Sequence, residues 1–133
     1  MKIIAKGIGV DAGLIMIADL DYLRANHCTE HDYSELDRLG KTFKVSKGDY
    51  LVSWHIRETW DGPIEGVENL RITSGTLVVI DPCYVFGEPH ERWQKWLNDN
   101  DYGNEIDSES AFVIDQMGGD GEYKVELLLE EKA

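Results

Sequence analysis

The chain has 133 residues, 42% of them apolar, with four Trp, six Tyr and three Phe; that suffices for one domain with a core, without disulfides or a structural metal, and sets it apart from disordered chains. Twenty-six acidic against thirteen basic residues give a formal net charge of −13, a field that repels nucleic acid and anionic membranes and attracts basic partners. The excess is uneven, with 9 basic and 13 acidic residues in 1–87 against 4 and 13 in 88–133.

Taken in chain order, Lys2–Ile8 and Gly13–Ala18 are Ile-rich runs separated by turn residues, and predict a first hairpin. Arg24–Lys41 is polar, with Ser34 placed to cap a short helical piece. Thr42–Val45 and Tyr50–Thr59 alternate and predict a second hairpin through Ser-Lys-Gly-Asp. Trp54 and Trp60, six apart, then share a face of that strand. Asp61-Gly-Pro63 and Glu65-Gly66 form a turn-rich joint, the seam between two halves. Leu70–Ile72 and Leu77–Ile80 predict further strands, ended by Pro82, which has no N–H for a ladder. Glu88–Leu97 is the one convincing helix: Pro89 opens it, acids fill its first turn, and Trp93, Trp96 and Leu97 recur at helical spacing to pack on a sheet. Ala111–Ile114 and Glu122–Leu129 predict a last hairpin through Gly118-Gly-Asp-Gly121, with Tyr123, Val125 and Leu127 on one face.

The chain also repeats itself. Val10-Asp-Ala-Gly-Leu-Ile-Met-Ile-Ala-Asp-Leu-Asp-Tyr22 returns 62 residues later as Ile72-Thr-Ser-Gly-Thr-Leu-Val-Val-Ile-Asp-Pro-Cys-Tyr84, and Gly48-Asp-Tyr-Leu-Val52 is echoed by Gly121-Glu-Tyr-Lys-Val125. The expected fold is therefore α+β and mainly β: two pseudo-repeated antiparallel strand units, with one amphipathic helix packed on the sheet. A single domain is expected over 1–133, with halves 1–62 and 66–133. Whether the halves close on each other within a chain or across a homodimer stays open.

The segments Ser74-Gly-Thr-Leu-Val-Val-Ile-Asp-Pro-Cys-Tyr84 and Gly119-Asp-Gly-Glu-Tyr-Lys-Val125 resemble a family of small, largely uncharacterised bacterial and bacteriophage proteins. That family carries a Ser-Gly-x-Leu strand running into Asp-Pro-Cys-Tyr, and a C-terminal Gly-Asp-Gly-x-Tyr. The match covers mainly residues 70–129. In the first half Leu20 and Asp21 replace the Pro-Cys pair, so any role of that pair belongs to one half. The resemblance implies a β-rich fold and a phage or prophage setting, and carries no catalytic assignment.

The chemistry-bearing residues each have a plain structural reading. Cys83 beside Asp81 is either a small buried thiol or a nucleophile that needs a base such as His27, His31, His55 or His90 and a lowered thiol pKa. The buried thiol is preferred, because no elbow or paired-His signature surrounds Cys83. His27-Cys28-x-x-His31 with Asp32 has zinc-ligand types but no second pair, so no metal and no cofactor is assigned. Asp19 with Tyr22 and Asp81 with Tyr84 are duplicated, which favours turn-capping Asp residues over two active sites. The sharper alternative places Asp81, Tyr84 and Asp120 in a cleft for a small polar ligand.

The sequence leans toward a non-enzymatic protein. The expectation is a phage-type accessory or anti-defence protein that occludes a basic, nucleic-acid-handling host protein through an acidic surface. Asp99, Asp101, Glu105, Asp107 and Glu109 supply the carboxylates and Trp60 an aromatic anchor. Sequestration of a nucleotide or signal molecule is the alternative, and cysteine-dependent hydrolysis ranks third. No apolar run spans a bilayer and the N-terminus has no long apolar segment, so the expected place is the cytoplasm, that of the host if the chain is phage-encoded.

Overall fold

The computed structural model describes residues 1–26, 36–103, 106 and 108–132. Its strands are β1 (Lys2–Val10), β2 (Ile15–Asp19), β3 (Lys41–Lys44), β4 (Gly48–Ile56), β5 (Ile64–Ile72), β6 (Thr76–Ile80), β7 (Ala111–Ile114) and β8 (Gly121–Glu131). They form two four-stranded antiparallel sheets, an outer one in the order β1-β8-β4-β5 and a central one in the order β3-β6-β2-β7. The helices are α1 (Leu20–Asn26), α2 (Leu36–Leu39), α3 (Cys83–Phe86) and α4 (His90–Asp99). The mainly β α+β class expected from the sequence is thus the observed one. No helix of the described residues is long and apolar enough to cross a membrane.

Burial patterns show why the layers stack as they do. β4 and β8 alternate buried and exposed residues, so the outer sheet has one wet face. β2 and β6 are apolar on both sides, Ile-Met-Ile-Ala-Asp and Thr-Leu-Val-Val-Ile, and a strand without alternation belongs between two layers. One core lies between the sheets, where Val52, Trp54, Val125 and Leu127 meet Ile15, Ile17, Leu77 and Val79. A second lies between the central sheet and the helices, where Met16, Ala18, Val78 and Ile80 meet Leu23, Phe86 and Trp96. Burying each such large side chain stabilises the fold by roughly 1.5–3 kcal/mol.

Helix α4 follows its sequence signals. Pro89, in an extended conformation, precedes it, Glu91 lies in its first turn, and Trp93, Trp96 and Leu97 all pack toward the second core. Trp96 stacks between Phe86 at 5.1 Å and Trp93 at 5.6 Å between ring centroids, and its indole N–H donates to the Tyr22 hydroxyl at 2.9 Å. Asn100 closes the helix, its side-chain amide donating to the Trp96 carbonyl at 2.8 Å.

The pairing differs from the expected hairpins. β1 pairs with β8, whereas β2 pairs with β6 and β7, so the first two strands lie in different sheets. β3 and β4 are likewise split between sheets, as are β7 and β8. The hairpin that does form joins β4 to β5, and Glu65-Gly66, read from the sequence as part of a turn, are strand residues. Trp60 lies in the connecting loop beyond Ile56 and not on a strand face with Trp54. Helix α1 was not foreseen, although Leu20 and Leu23 at i, i+3 with Asp21 in the first turn carry its signal. The Ser34 cap lies outside the described residues.

The repeat explains this topology. Pairing β1 to β4 with β5 to β8 in order leaves both sheet orders unchanged when the two sets are exchanged. Every ladder, β1-β8, β8-β4, β4-β5, β3-β6, β6-β2 and β2-β7, joins a strand of 1–62 to one of 63–133. The echoed tyrosines match too, since Tyr50 donates to the Ser46 carbonyl and Tyr123 to the Gly119 carbonyl, each four residues back.

Candidate functional site

The duplicated aspartates cap each other's half. Asp19, at the end of β2, accepts the Thr73 N–H at 2.8 Å, the Ser74 N–H at 3.1 Å and both hydroxyls. Asp81, at the end of β6, accepts the N–H groups of Asp11 and Ala12, each at 2.8 Å. Since 11 and 73, 12 and 74, and 19 and 81 each differ by the same 62 residues, the two arrangements are one motif used reciprocally. Gly13 and Gly75 follow at φ +75° and +80°, the left-handed conformation that lets each capped turn reverse into its strand.

The two ends differ in chemistry. Burial opposes the Asp19 charge, yet the donors of Ser74 and Thr73 outweigh it and hold the carboxyl below its ordinary 3.8. Asp81 lies above 3.8, because its burial is offset only in part by the N–H groups of Ala12, Cys83 and Asp11. Cys83 N–H adds its bond at 2.9 Å. With both carboxylate oxygens occupied by backbone donors, Asp81 shapes the turn and has little left for a ligand.

Around Asp81 the structure gathers an acidic end of the sandwich. Tyr84 donates its hydroxyl to Asp11, which pushes the phenol up, with burial adding to the shift. Cys83 is half-buried, and burial, the Asp81 carboxylate, Asp11 and Asp120 all push its thiol well above the usual value. A nucleophilic cysteine requires the opposite environment, cationic and thiolate-stabilising. The electrostatics therefore oppose cysteine-dependent hydrolysis here. His55 lies beside Glu126 on the outer sheet, and the set His27, Cys28, His31 and Asp32 lies outside the described residues.

Trp60 joins this end. It is 72% exposed, and its ring lies over Gly119, where an added Cβ would sit 2.8 Å from the indole. Its backbone N–H donates to the Met117 carbonyl at 3.1 Å, its indole N–H donates to the Tyr123 hydroxyl, and Asp120 acts on the same Tyr123. Asp61 reaches to 3.4 Å of the Cβ position of Gly118. Trp60, Asp120, Tyr84 and Asp81, expected in two separate sites, thus surround one end of the molecule. Asp11 and Asp61 were not foreseen; the signal for Asp11 was its match to Thr73 in the repeat.

The acidic stretch lies elsewhere. Asp99 pairs with Lys95 within α4, and Glu109 pairs with Arg71 at 2.8 Å, as does Asp49. Asp101 is exposed at a left-handed position, φ +50°. Glu105 and Asp107 lie outside the described residues. Two open grooves of about 640 Å³ flank the stretch and share Ser108. One lies between the β5 and β7 edges and includes Glu68, Arg71 and Glu109; the other lies between α1 and α4 and includes Asp21, Lys95 and Asp99. Glu109 sits at the Ile72 end of β5 and Trp60 beyond its Ile64 end, roughly 20 Å apart at 3.3 Å per residue. Glu109 and Trp60 therefore lie toward opposite ends of β5.

Comparison of the chain with family models, with curated proteins and with solved structures finds no match.

Proposed function

We propose that the chain is a non-enzymatic accessory protein of phage type that binds and occludes a basic, nucleic-acid-handling host protein, acting as an anti-defence inhibitor in the host cytoplasm. The observation that carries this reading is Trp60, exposed over most of its surface, held on the Gly118-Gly119 turn and neighboured by Asp61 and Asp120. An aromatic ring fixed in place loses little entropy on binding, and such anchors dominate interface energies. Carboxylates around it stand where phosphates of a nucleic acid would, steering a cationic surface onto the ring. Asp99 and Glu109, already paired with Lys95 and Arg71, contribute to the long-range field more than to contact.

The test is capture from bacterial lysate by the full chain and by Trp60→Ala, at low and at high salt. The expected result is a basic protein held by the native chain at low salt, released at high salt and absent with Trp60→Ala. Capture indifferent to salt or to Trp60 overturns the proposal. A co-purifying metabolite without a protein overturns it in favour of small-ligand sequestration.

A further inference from the structure

The outer sheet has two long edges, built differently. β1 is interrupted between Ala5 and Ile8 by an extra residue, with Gly7 at φ +68°, and carries Lys2 and Lys6. Bulges and lysines of this kind keep an edge from pairing. β5 reads Ile64-Glu-Gly-Val-Glu-Asn-Leu-Arg-Ile72; its ladder to β4 runs unbroken over its whole length, and it has neither Lys nor Pro.

The direction of its main-chain groups follows from two bonds. In an antiparallel ladder both groups of a residue point to the same neighbour, and successive residues alternate. The Arg71 N–H points away from β4 and donates to the Glu109 carbonyl at 2.8 Å, so Glu65, Val67 and Asn69 also turn their N–H and C=O outward. The Asp49 carbonyl, opposite Arg71, accepts from Lys132 at 2.9 Å on the far side of β4, which fixes the same phase independently. Among the described residues, no hydrogen bond reaches the outward groups of Glu65, Val67 and Asn69.

We infer that β5 pairs antiparallel with β5 of a second copy about a two-fold axis at Val67, joining two four-stranded outer sheets into one. In this register Val67 faces Val67, Glu65 faces Asn69 and Gly66 faces Glu68 of the other copy, so no like charges stand opposite. An axis at Glu68 would set that carboxylate against itself. The pairing also ends by itself. Arg71, whose N–H is already engaged, falls opposite Pro63, which has none. The outward residues of the two chains exchange about six main-chain bonds. Val67, 57% exposed and the most exposed large apolar residue of any described strand, is covered.

A net charge of −13 on each copy opposes association, so added salt strengthens this dimer, the reverse of its effect on a basic partner. The test is sedimentation equilibrium of the full chain at about 0.5 M salt, with a mass of twice 15.1 kDa expected. Val67→Pro returns the single-chain mass with unchanged circular dichroism, because the lost N–H faces away from β4. The register is tested at the exposed Asn69: Asn69→Lys, opposite Glu65 twice in the dimer, tightens it about tenfold, and Asn69→Glu weakens it about tenfold. A single-chain mass for the native protein at about 100 µM and about 0.5 M salt overturns the proposal. So does a dimer that survives Val67→Pro, or one that responds alike to both Asn69 changes.

Discussion

Asp19 and Asp81 occupy equivalent places, and their surroundings shift the two carboxyls in opposite directions. Asp19 lies below its ordinary 3.8, so its contribution to stability is complete above that value and is lost as pH falls through the lower, folded value. Asp19→Asn puts an amide N–H among the donors of Thr73 and Ser74, and is expected to cost about 2–4 kcal/mol near neutrality. Urea denaturation between about pH 2.5 and 7 should also show a flatter acid limb in this variant. Asp81 lies above 3.8; protonating it on the way down relieves the cost of burying its charge, so this group alone favours folding as pH falls. Asp81→Asn is accordingly expected to cost less than Asp19→Asn in the same denaturation series. The duplicated pair was visible in the sequence as a capping motif. Its partners were not, because each aspartate bonds to a turn 69 to 70 or 54 to 55 residues away, in the other half.

At the scale of elements, strand positions were legible and strand partners were not. Gly and Asp clusters mark where β1 ends and β2 begins, but a four-residue connection serves a hairpin and a crossing between sheets equally well. The distinguishing signal is burial periodicity. β1 alternates, with Lys2, Ile4 and Lys6 opposite Ile3 and Ala5, whereas β2 has apolar residues on both faces. Two such strands do not share a sheet that is wet on one side. Gly66 makes a similar point, since it read as a turn residue and is a strand residue held free of a side chain by Trp54. A Cβ there would lie 2.5 Å from the indole. Gly66→Ala is expected to displace Trp54 and cost about 1–3 kcal/mol, read as a lower melting temperature with altered tryptophan fluorescence.

The whole molecule is an interleaved duplication. Because every ladder crosses between the two sets of strands, neither set has a sheet of its own. Residues 1–62 and 63–133 produced separately are expected to show no cooperative melting, and to recover the native spectrum when mixed; cooperative folding of either piece alone would contradict this. The acidic balance was readable from composition, but the gathering of carboxylates near Trp60 was not. The sequence run from Asp99 to Glu109 is the densest in carboxylates, yet Asp99 and Glu109 are paired with cations. The acidic end around Trp60 is assembled from segments near residues 11, 60, 81 and 120, distances that no linear count reveals.

The most direct test of the proposed function compares two charge-neutralised chains, Asp61→Asn with Asp120→Asn and Asp99→Asn with Glu109→Gln, for affinity to the captured basic partner across a salt series. The first pair is expected to lose about tenfold or more in affinity and to flatten the salt dependence, the second to change it less than about threefold. The reverse order would place the contact on the acidic stretch and contradict a site centred on Trp60.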